Sequence, residues 1–166
     1  MTENMDENVP ACFKSLVIKK PLSLDKQICL KFRYTLTHLS LSDTKLRNIP
    51  DFLFSLLPNL SWLDLRTNRL KTIPFSVSHH KRLTTLLLNE NIFDHLPAYL
   101  ALVHSLTNVT FRDNIINYAR EQILSRGWPG IKIYLLQYME EKKKEEAKLV
   151  RNFSYHLEFL YSFMFP

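Results

Sequence analysis

The chain has 166 residues, 46% hydrophobic and 12% aromatic, and 22 Lys and Arg against 16 Asp and Glu leave a net charge of +6. That is the composition of one folded domain and not the low-hydrophobicity, high-charge signature of a disordered chain. Its two glycines, Gly127 and Gly130, leave no Gly-rich phosphate loop or nucleophile elbow, and its two cysteines, Cys12 and Cys29, make no CxxC metal site or disulfide framework, though one bridge is arithmetically possible.

Residues 1–10, MTENMDENVP, carry Glu3, Asp6 and Glu7 and no apolar core, so they read as a disordered acidic segment and not as a signal peptide. No uninterrupted apolar run approaches the ~20 residues of a membrane helix. A cytoplasmic setting with both cysteines as thiols is the expectation. The triplets at Asn59, Asn108 and Asn152 are then expected to carry no glycan. Residues 11–35 are the expected N-terminal cap, with Cys29 in its core. A basic cluster lies here, Lys14, Lys19, Lys20, Lys26, Lys31 and Arg33, opposed only by Asp25. It reads either as a solvated cap surface or as a site for RNA or an anionic membrane.

From Leu36 onward one apolar order returns. Leu36, Leu39, Leu41, Leu46, Ile49-Pro50, Leu53 and Leu56 form the first copy; Leu60, Leu63, Leu65, Asn68, Leu70, Ile73-Pro74 and Val77 the second. Leu83, Leu86, Leu88, Asn91, Phe93, Leu96-Pro97, Leu100 and Val103 form the third. A fourth begins at Leu106, Val109, Phe111, Asn114 and Ile116 and then loses the pattern. The starts lie 24, 23 and 23 residues apart. In each copy the apolar residues first alternate, which predicts a short strand with one buried face. Stacked copies then make a parallel sheet in which each strand pairs with its neighbours. Asn68, Asn91 and Asn114 stand where the chain leaves the strand, and their amides are expected to form a ladder onto turn backbone of the same and adjacent copy. Thr44 takes that column in the first copy. The Ile-Pro or Leu-Pro step, with fixed φ and no amide donor, suits a non-helical return on the convex side. Phe13, Leu16 and Ile18 precede Leu36, Leu39 and Leu41 by 23 residues and read as a degenerate zeroth copy.

Beyond the repeats at 36–116, residues 117–150 are expected to form a C-terminal helical cap and a charged helix. Residues 117–126 predict a short helix, with Gly127 at its left-handed end, and Trp128-Pro129-Gly130 predicts a turn. A second helix follows, with Ile131, Tyr134, Leu135 and Tyr138 on one face. It continues into Glu140–Leu149, where Glu140–Lys144 and Lys142–Glu146 stand at i, i+4. Residues 151–166 are aromatic. They read as an element packing back on the domain, as a partner-binding tail, or as the end of a truncated product.

The copies resemble the leucine-rich repeat, LxxLxLxxNxLxxLPxxLxxL. The expected fold is therefore α/β: a leucine-rich repeat solenoid with a short curved parallel sheet on the concave face, an irregular or short-helical convex side and a C-terminal helical cap. The stretches LLPNLSWLDLRTNRLKTIP (Leu56–Pro74) and LTTLLLNENIFDHLP (Leu83–Pro97) resemble intracellular members that carry the Leu-Pro step, most nearly the N-terminal domain of the family of leucine-rich repeat-containing protein twenty-seven. RGWPGIKIYLLQYM (Arg126–Met139) is similar to the cap of that broader group. The resemblance implies an interaction platform without catalytic residues.

Residues that alternate with the buried leucines point outward on the concave face. The outward columns are His38, Trp62, Thr85, Asn108, then Ser40, Asp64, Leu87, Thr110, then Ser42, Arg66, Asn89, Arg112. Two large apolar residues, Trp62 and Leu87, stand there among polar ones, with Asp64, Arg66 and Arg112 beside them. Tryptophan and arginine dominate binding energy in many interfaces. The expected partner-binding set is Trp62, Leu87, Asp64, Arg66, Arg112, His38, Thr85, Asn89 and Asn108. Equally, Trp62 can lie flat over its neighbours and Asp64 can pair with Arg66 or Arg112.

The chemistry of an enzyme is not found. His79 and His80, adjacent on the convex return, read as exposed histidines and not as metal ligands. Glu140/Glu141 and Glu145/Glu146 lie on a charged helix. Cys29 and His38 lack a third group or oxyanion donor. The expectation is a non-catalytic, monomeric adaptor or scaffold with no cofactor and no metal, binding protein on the concave face. The alternatives are an electrostatic binder of RNA or anionic membrane through residues 14–33, and a fragment without independent role.

Overall fold

The computed structural model describes residues 15–18, 26–116 and 121–164, with backbone alone for residue 121 and for residues 151–164. The segment 1–10, Cys12, Phe13, Lys14, Lys19, Lys20 and residues 117–120 lie outside the described residues.

Five three-residue strands form one parallel sheet in chain order: β1 (Ser15–Val17), β2 (His38–Ser40), β3 (Trp62–Asp64), β4 (Thr85–Leu87) and β5 (Asn108–Thr110). Their register is that of the repeat: Leu16, Leu39, Leu63, Leu86 and Val109 pair across the sheet. Consecutive strands are joined by a return segment. These returns carry α2 (Phe52–Leu56) and the 3-10 turns Phe75–His79 and Ala98–Leu102. Each 3-10 turn follows a proline, Pro74 or Pro97, in extended backbone, the conformation that a fixed φ and a missing amide favour. The leucines of strand and return meet in a single core, where Leu60, Leu63, Leu65, Leu83, Leu86, Leu88 and Leu100 are fully buried. Cys29, on α1 (Lys26–Lys31), is buried in that core.

The asparagine ladder is present, and it ties copies together. The Asn68 amide nitrogen donates to Leu41 and Leu65 carbonyls at 2.8 and 3.0 Å, while its oxygen accepts the Thr44 and Leu46 backbone amides at 3.2 and 2.9 Å. Asn91 repeats this on Leu65, Leu88 and the Leu70 amide, and Asn114 on Leu88, Phe111 and the Phe93 amide. A second ladder runs along the strand entries. The hydroxyls of Ser61, Thr84 and Thr107 donate to the carbonyls of Thr37, Ser61 and Thr84 at 3.0, 2.9 and 3.2 Å. Its signal is a hydroxyl column one residue after Leu36, Leu60, Leu83 and Leu106, at the repeat period.

At the C-terminal end, α3 (Glu121–Leu124) and α4 (Gly127–Met164) cover the last copy. Trp128, Ile131 and Leu135 are buried against it, and the Trp128 indole donates to the Leu106 carbonyl at 3.0 Å. Tyr134 is half-buried there, while Tyr138 is exposed. Trp128-Pro129-Gly130 is not a turn. It is the first turn of α4, where proline loses no hydrogen bond. Gly127 enters that helix at φ +65°, and a Cβ on Gly130 would stand 2.4 Å from the Arg126 Cβ. Residues 140–150 are exposed, and a charge pair forms there between Lys142 and Glu145 at 2.8 Å, at i, i+3 in place of the i, i+4 pairs expected. The backbone of α4 remains helical through Met164.

Candidate interaction surface

The concave face is built from side chains that alternate with the buried leucines. One row reads Ser15, His38, Trp62, Thr85, Asn108 across β1 to β5; the next reads Val17, Ser40, Asp64, Leu87, Thr110. His38 and Asn108 are exposed, and Trp62, Thr85 and Leu87 are half-exposed. Trp62 pairs with Thr85 and Asp64 with Leu87, so Trp62 and Leu87 are diagonal neighbours, a separation of roughly 7–8 Å that an indole can span. The His38 ring tilts 35° against the Trp62 indole with 6.0 Å between centroids, and Thr37 Oγ1 lies 2.8 Å from His38 Nδ1. Trp62 is therefore supported on its β2 side. Val17, on the same face, is 57% exposed and is an apolar member of the second row that the leucine columns did not single out.

Asp64 is in the outward column but is 2% exposed, and of the two pairings open to it the one with Arg66 is formed. Both carboxylate oxygens are taken by Arg66: Nε to Oδ1 at 2.9 Å and Nη2 to Oδ2 at 2.8 Å, with the Arg66 backbone amide also on Oδ1 at 3.1 Å. A bidentate pair of this kind fixes the plane of the guanidinium. Asp64, by hydrogen bond and then by charge, raises the Arg66 pKa further above its ordinary value. The Arg66 side chain keeps 46% of its surface exposed, so a held cation faces solvent beside Trp62. The alternative Asp64–Arg112 pair is not formed among the described residues.

Asn89 turns its side-chain oxygen onto the Arg112 amide at 2.9 Å, which joins the third and fourth copies below the sheet. Arg112 is exposed and stands at a cleft of about 720 Å³ at the C-terminal end of the concave face. Thr110, Asn89, Leu124, Ser125 and Ile131 also line it. The Thr110 hydroxyl is buried without a hydrogen-bond partner among the described residues. The repeat columns contain no signal for this cleft, because part of its wall, Leu124, Ser125, Gly127 and Ile131, comes from the cap.

Of the basic cluster, Lys26 and Lys31 are exposed on α1, and Arg33 lies over the Tyr34 ring at 5.2 Å. The expectation of two exposed histidines is half right. His79 is exposed, but His80 is 6% exposed and occupies the leucine column of the return, between Val77 and Leu83. Its Nε2 bonds the Leu57 carbonyl at 3.0 Å, and Nδ1 accepts the Leu83 amide at 3.0 Å. Burial pushes its pKa below the ordinary histidine value, with the Leu57 bond opposing in part. Among the described residues, no group of three or more His, Cys, Asp or Glu could hold a metal, and no helix is long and apolar enough to cross a membrane.

Residues 35–97 match the family model described as leucine rich repeat. Over 87 residues the chain is 37% identical to the volume-regulated anion channel subunit LRRC8D of Rattus norvegicus, which covers 51% of this chain and 10% of that protein. The chain thus spans about a tenth of the length of that relative. Among solved structures, a leucine-rich repeat protein of Leptospira interrogans superposes with a TM-score of 0.53 at 28% identity, over 60% of this chain and 25% of that one. Periodicity, parallel register, asparagine ladder and these likenesses agree on the fold: the chain is built as a leucine-rich repeat solenoid.

Proposed function

We propose that the chain is a non-catalytic adaptor or scaffold module, monomeric and cytoplasmic, that binds a segment of a protein partner on its concave sheet face. The observation that carries this reading is the half-exposed pair Trp62 and Leu87 at the centre of a sheet face that is polar apart from Val17 at its edge, beside an arginine held in place by a buried carboxylate. The indole and the leucine supply apolar anchors, and Arg66, with Arg112 at the cleft, addresses acidic or carbonyl groups of the partner. Truncating an anchor of this kind often costs about 2 kcal/mol or more of binding energy. His38, Thr85, Asn89 and Asn108 form the polar surround. A closer kinship to the N-terminal domain of the family of leucine-rich repeat-containing protein twenty-seven belongs to the same proposal.

The test is affinity capture from a cell lysate, read by mass spectrometry, with the wild type beside Trp62→Ala/Leu87→Ala. Circular dichroism checks that both fold. Specific proteins retained by the wild type and lost by the variant support the concave site. Identical captures refute it.

A further inference from the structure

The flank that follows each strand carries a pattern the concave face does not use. Asn68 and Asn91 accept the backbone amides of Leu46 and Leu70 at 2.9 and 3.0 Å. These bonds hold Leu46 and Leu70 toward the core, and the residues on either side turn outward. They are Lys45, Arg47, Arg69 and Lys71, and all four are exposed. They also adjoin: the Arg69 amide donates to the Leu46 carbonyl at 2.8 Å, between Lys45 and Arg47, and stacked copies lie about 4.8 Å apart. Among the described residues none of the four cations is paired with a carboxylate.

The next copies change character in the same columns. Ile92 and Ile115 continue the column of Lys45 and Arg69, and Asp94 continues that of Arg47 and Lys71. The Ile92 amide bonds the Leu70 carbonyl at 3.1 Å, as Arg69 bonds Leu46, so the geometry is preserved while the chemistry switches. Ile115 is 58% exposed. One side of the solenoid is therefore cationic over two copies, and over the following two its first column turns aliphatic while the second carries Asp94.

We propose that this flank is a second interaction site, which binds a short acidic peptide segment of a protein partner with an aliphatic residue just beyond its carboxylates. The carboxylates meet Lys45, Arg47, Arg69 and Lys71; the aliphatic side chain meets Ile92 and Ile115. A nucleic-acid backbone fits this surface less well. Its phosphates continue without interruption, and along the solenoid they would pass from the four cations onto two isoleucines and Asp94, with Glu90 and Asp113 alongside.

The experiment is fluorescence anisotropy with the full chain and a fluorescein-labelled peptide Glu-Asp-Glu-Asp-Leu-Ile, at two salt concentrations. Saturable binding is expected, weaker at the higher salt. Arg69→Glu/Lys71→Glu should weaken it by at least about tenfold. Arg69→Gln/Lys71→Gln should give a smaller loss in the same direction, which guards against misfolding of the reversed variant. Ile115→Ser should weaken it severalfold. Lys81→Glu/Arg82→Glu, exposed elsewhere on the chain, and Trp62→Ala/Leu87→Ala should leave it unchanged, which separates this site from the concave one. Absence of saturation, or equal binding by all variants, overturns the proposal. So does tighter binding of a twelve-nucleotide oligouridine or of phosphatidylserine vesicles that the same charge variants abolish.

Discussion

Each copy leaves its strand through a residue in the left-handed region, Asp43, Thr67, Glu90 or Asp113, with φ between 54° and 58°, and the first copy adds Lys45 at 59°. Glycine would be the easy occupant, but the chain spends both of its glycines at the cap. Aspartate tolerates this conformation because its short polar side chain bonds locally, whereas a β-branched residue crowds its own backbone. Thr67 is held there by its amide on the Asn89 carbonyl at 3.1 Å and by its hydroxyl on Glu90 at 3.0 Å, the latter exposed. Thr67→Asn should therefore raise stability by about 0.5–1 kcal/mol, since relief of strain exceeds the loss of one solvated bond. Chemical denaturation reads this directly, and a lowered midpoint would show that the Glu90 bond matters more. Asp64 teaches a related lesson at the same scale. Its column was legible from alternation, but its burial depends on Arg66 folding back over it, and spacing alone left open whether the two would pair.

At the scale of elements, what the sequence made legible is what repeats. Leu39, Leu63 and Leu86 recur with their alternation, so strands, register and sheet order could be read before any coordinates. The ladder could be read too, because an amide at a fixed offset has carbonyls to meet in two copies. The same logic ranks its members. Asn91 is 5% exposed and satisfies the buried Leu70 amide and the Leu65 and Leu88 carbonyls together. Asn91→Ala strands the buried Leu70 amide and removes one of two amide donors from each carbonyl, since Asn68 still reaches Leu65 and Asn114 still reaches Leu88, and a loss of about 1–3 kcal/mol is expected. Asn114, half-buried at the end of the stack, should cost less on the same substitution, because water can replace part of its bonds. Equal losses in thermal unfolding would show that the ladder is not graded by burial. What does not repeat was read poorly. Trp128-Pro129-Gly130 contains the residues of a turn, yet proline is as comfortable in the first turn of a helix, and only the packing of Trp128 onto Leu106 decides between the two. The cleft by Arg112 was invisible for the same reason: it exists between a repeat and a cap, and no periodic signal describes that junction.

At the scale of the whole molecule, a solenoid is a line of copies in which each touches its neighbours, so its cooperativity is only as strong as the bonds between adjacent copies. His80 is one of those bonds. It belongs to the return of the second copy and reaches the Leu57 carbonyl of the first, and its neighbour His79 hid this, since two adjacent histidines read as a solvated pair. The imidazole is neutral as placed, donating from Nε2 and accepting at Nδ1. A proton on Nδ1 would point at the Leu83 amide hydrogen and remove that bond. Burial lowers the folded-state pKa, while in the unfolded chain His80 titrates near its ordinary value of about 6.5. Between the two values the unfolded chain binds the proton and the folded chain does not. Stability from this residue is therefore complete above about pH 6.5 and falls as the pH drops toward the folded-state value. His80→Leu should be less stable than the wild type at pH 7.5 by about 1–3 kcal/mol, because the Leu57 carbonyl and Leu83 amide lose their partner. Its deficit should then shrink on acidification, as the wild type alone loses the histidine contribution. Hydrogen exchange localises the effect. In acid the amides around Leu57 and Leu60, at the junction of the first and second copies, and around Leu83, where the third begins, should lose protection before those around Leu106. Uniform loss along the stack, or a deficit that stays constant with pH, would show that His80 is a packing residue and not the acid-sensitive joint between the two copies.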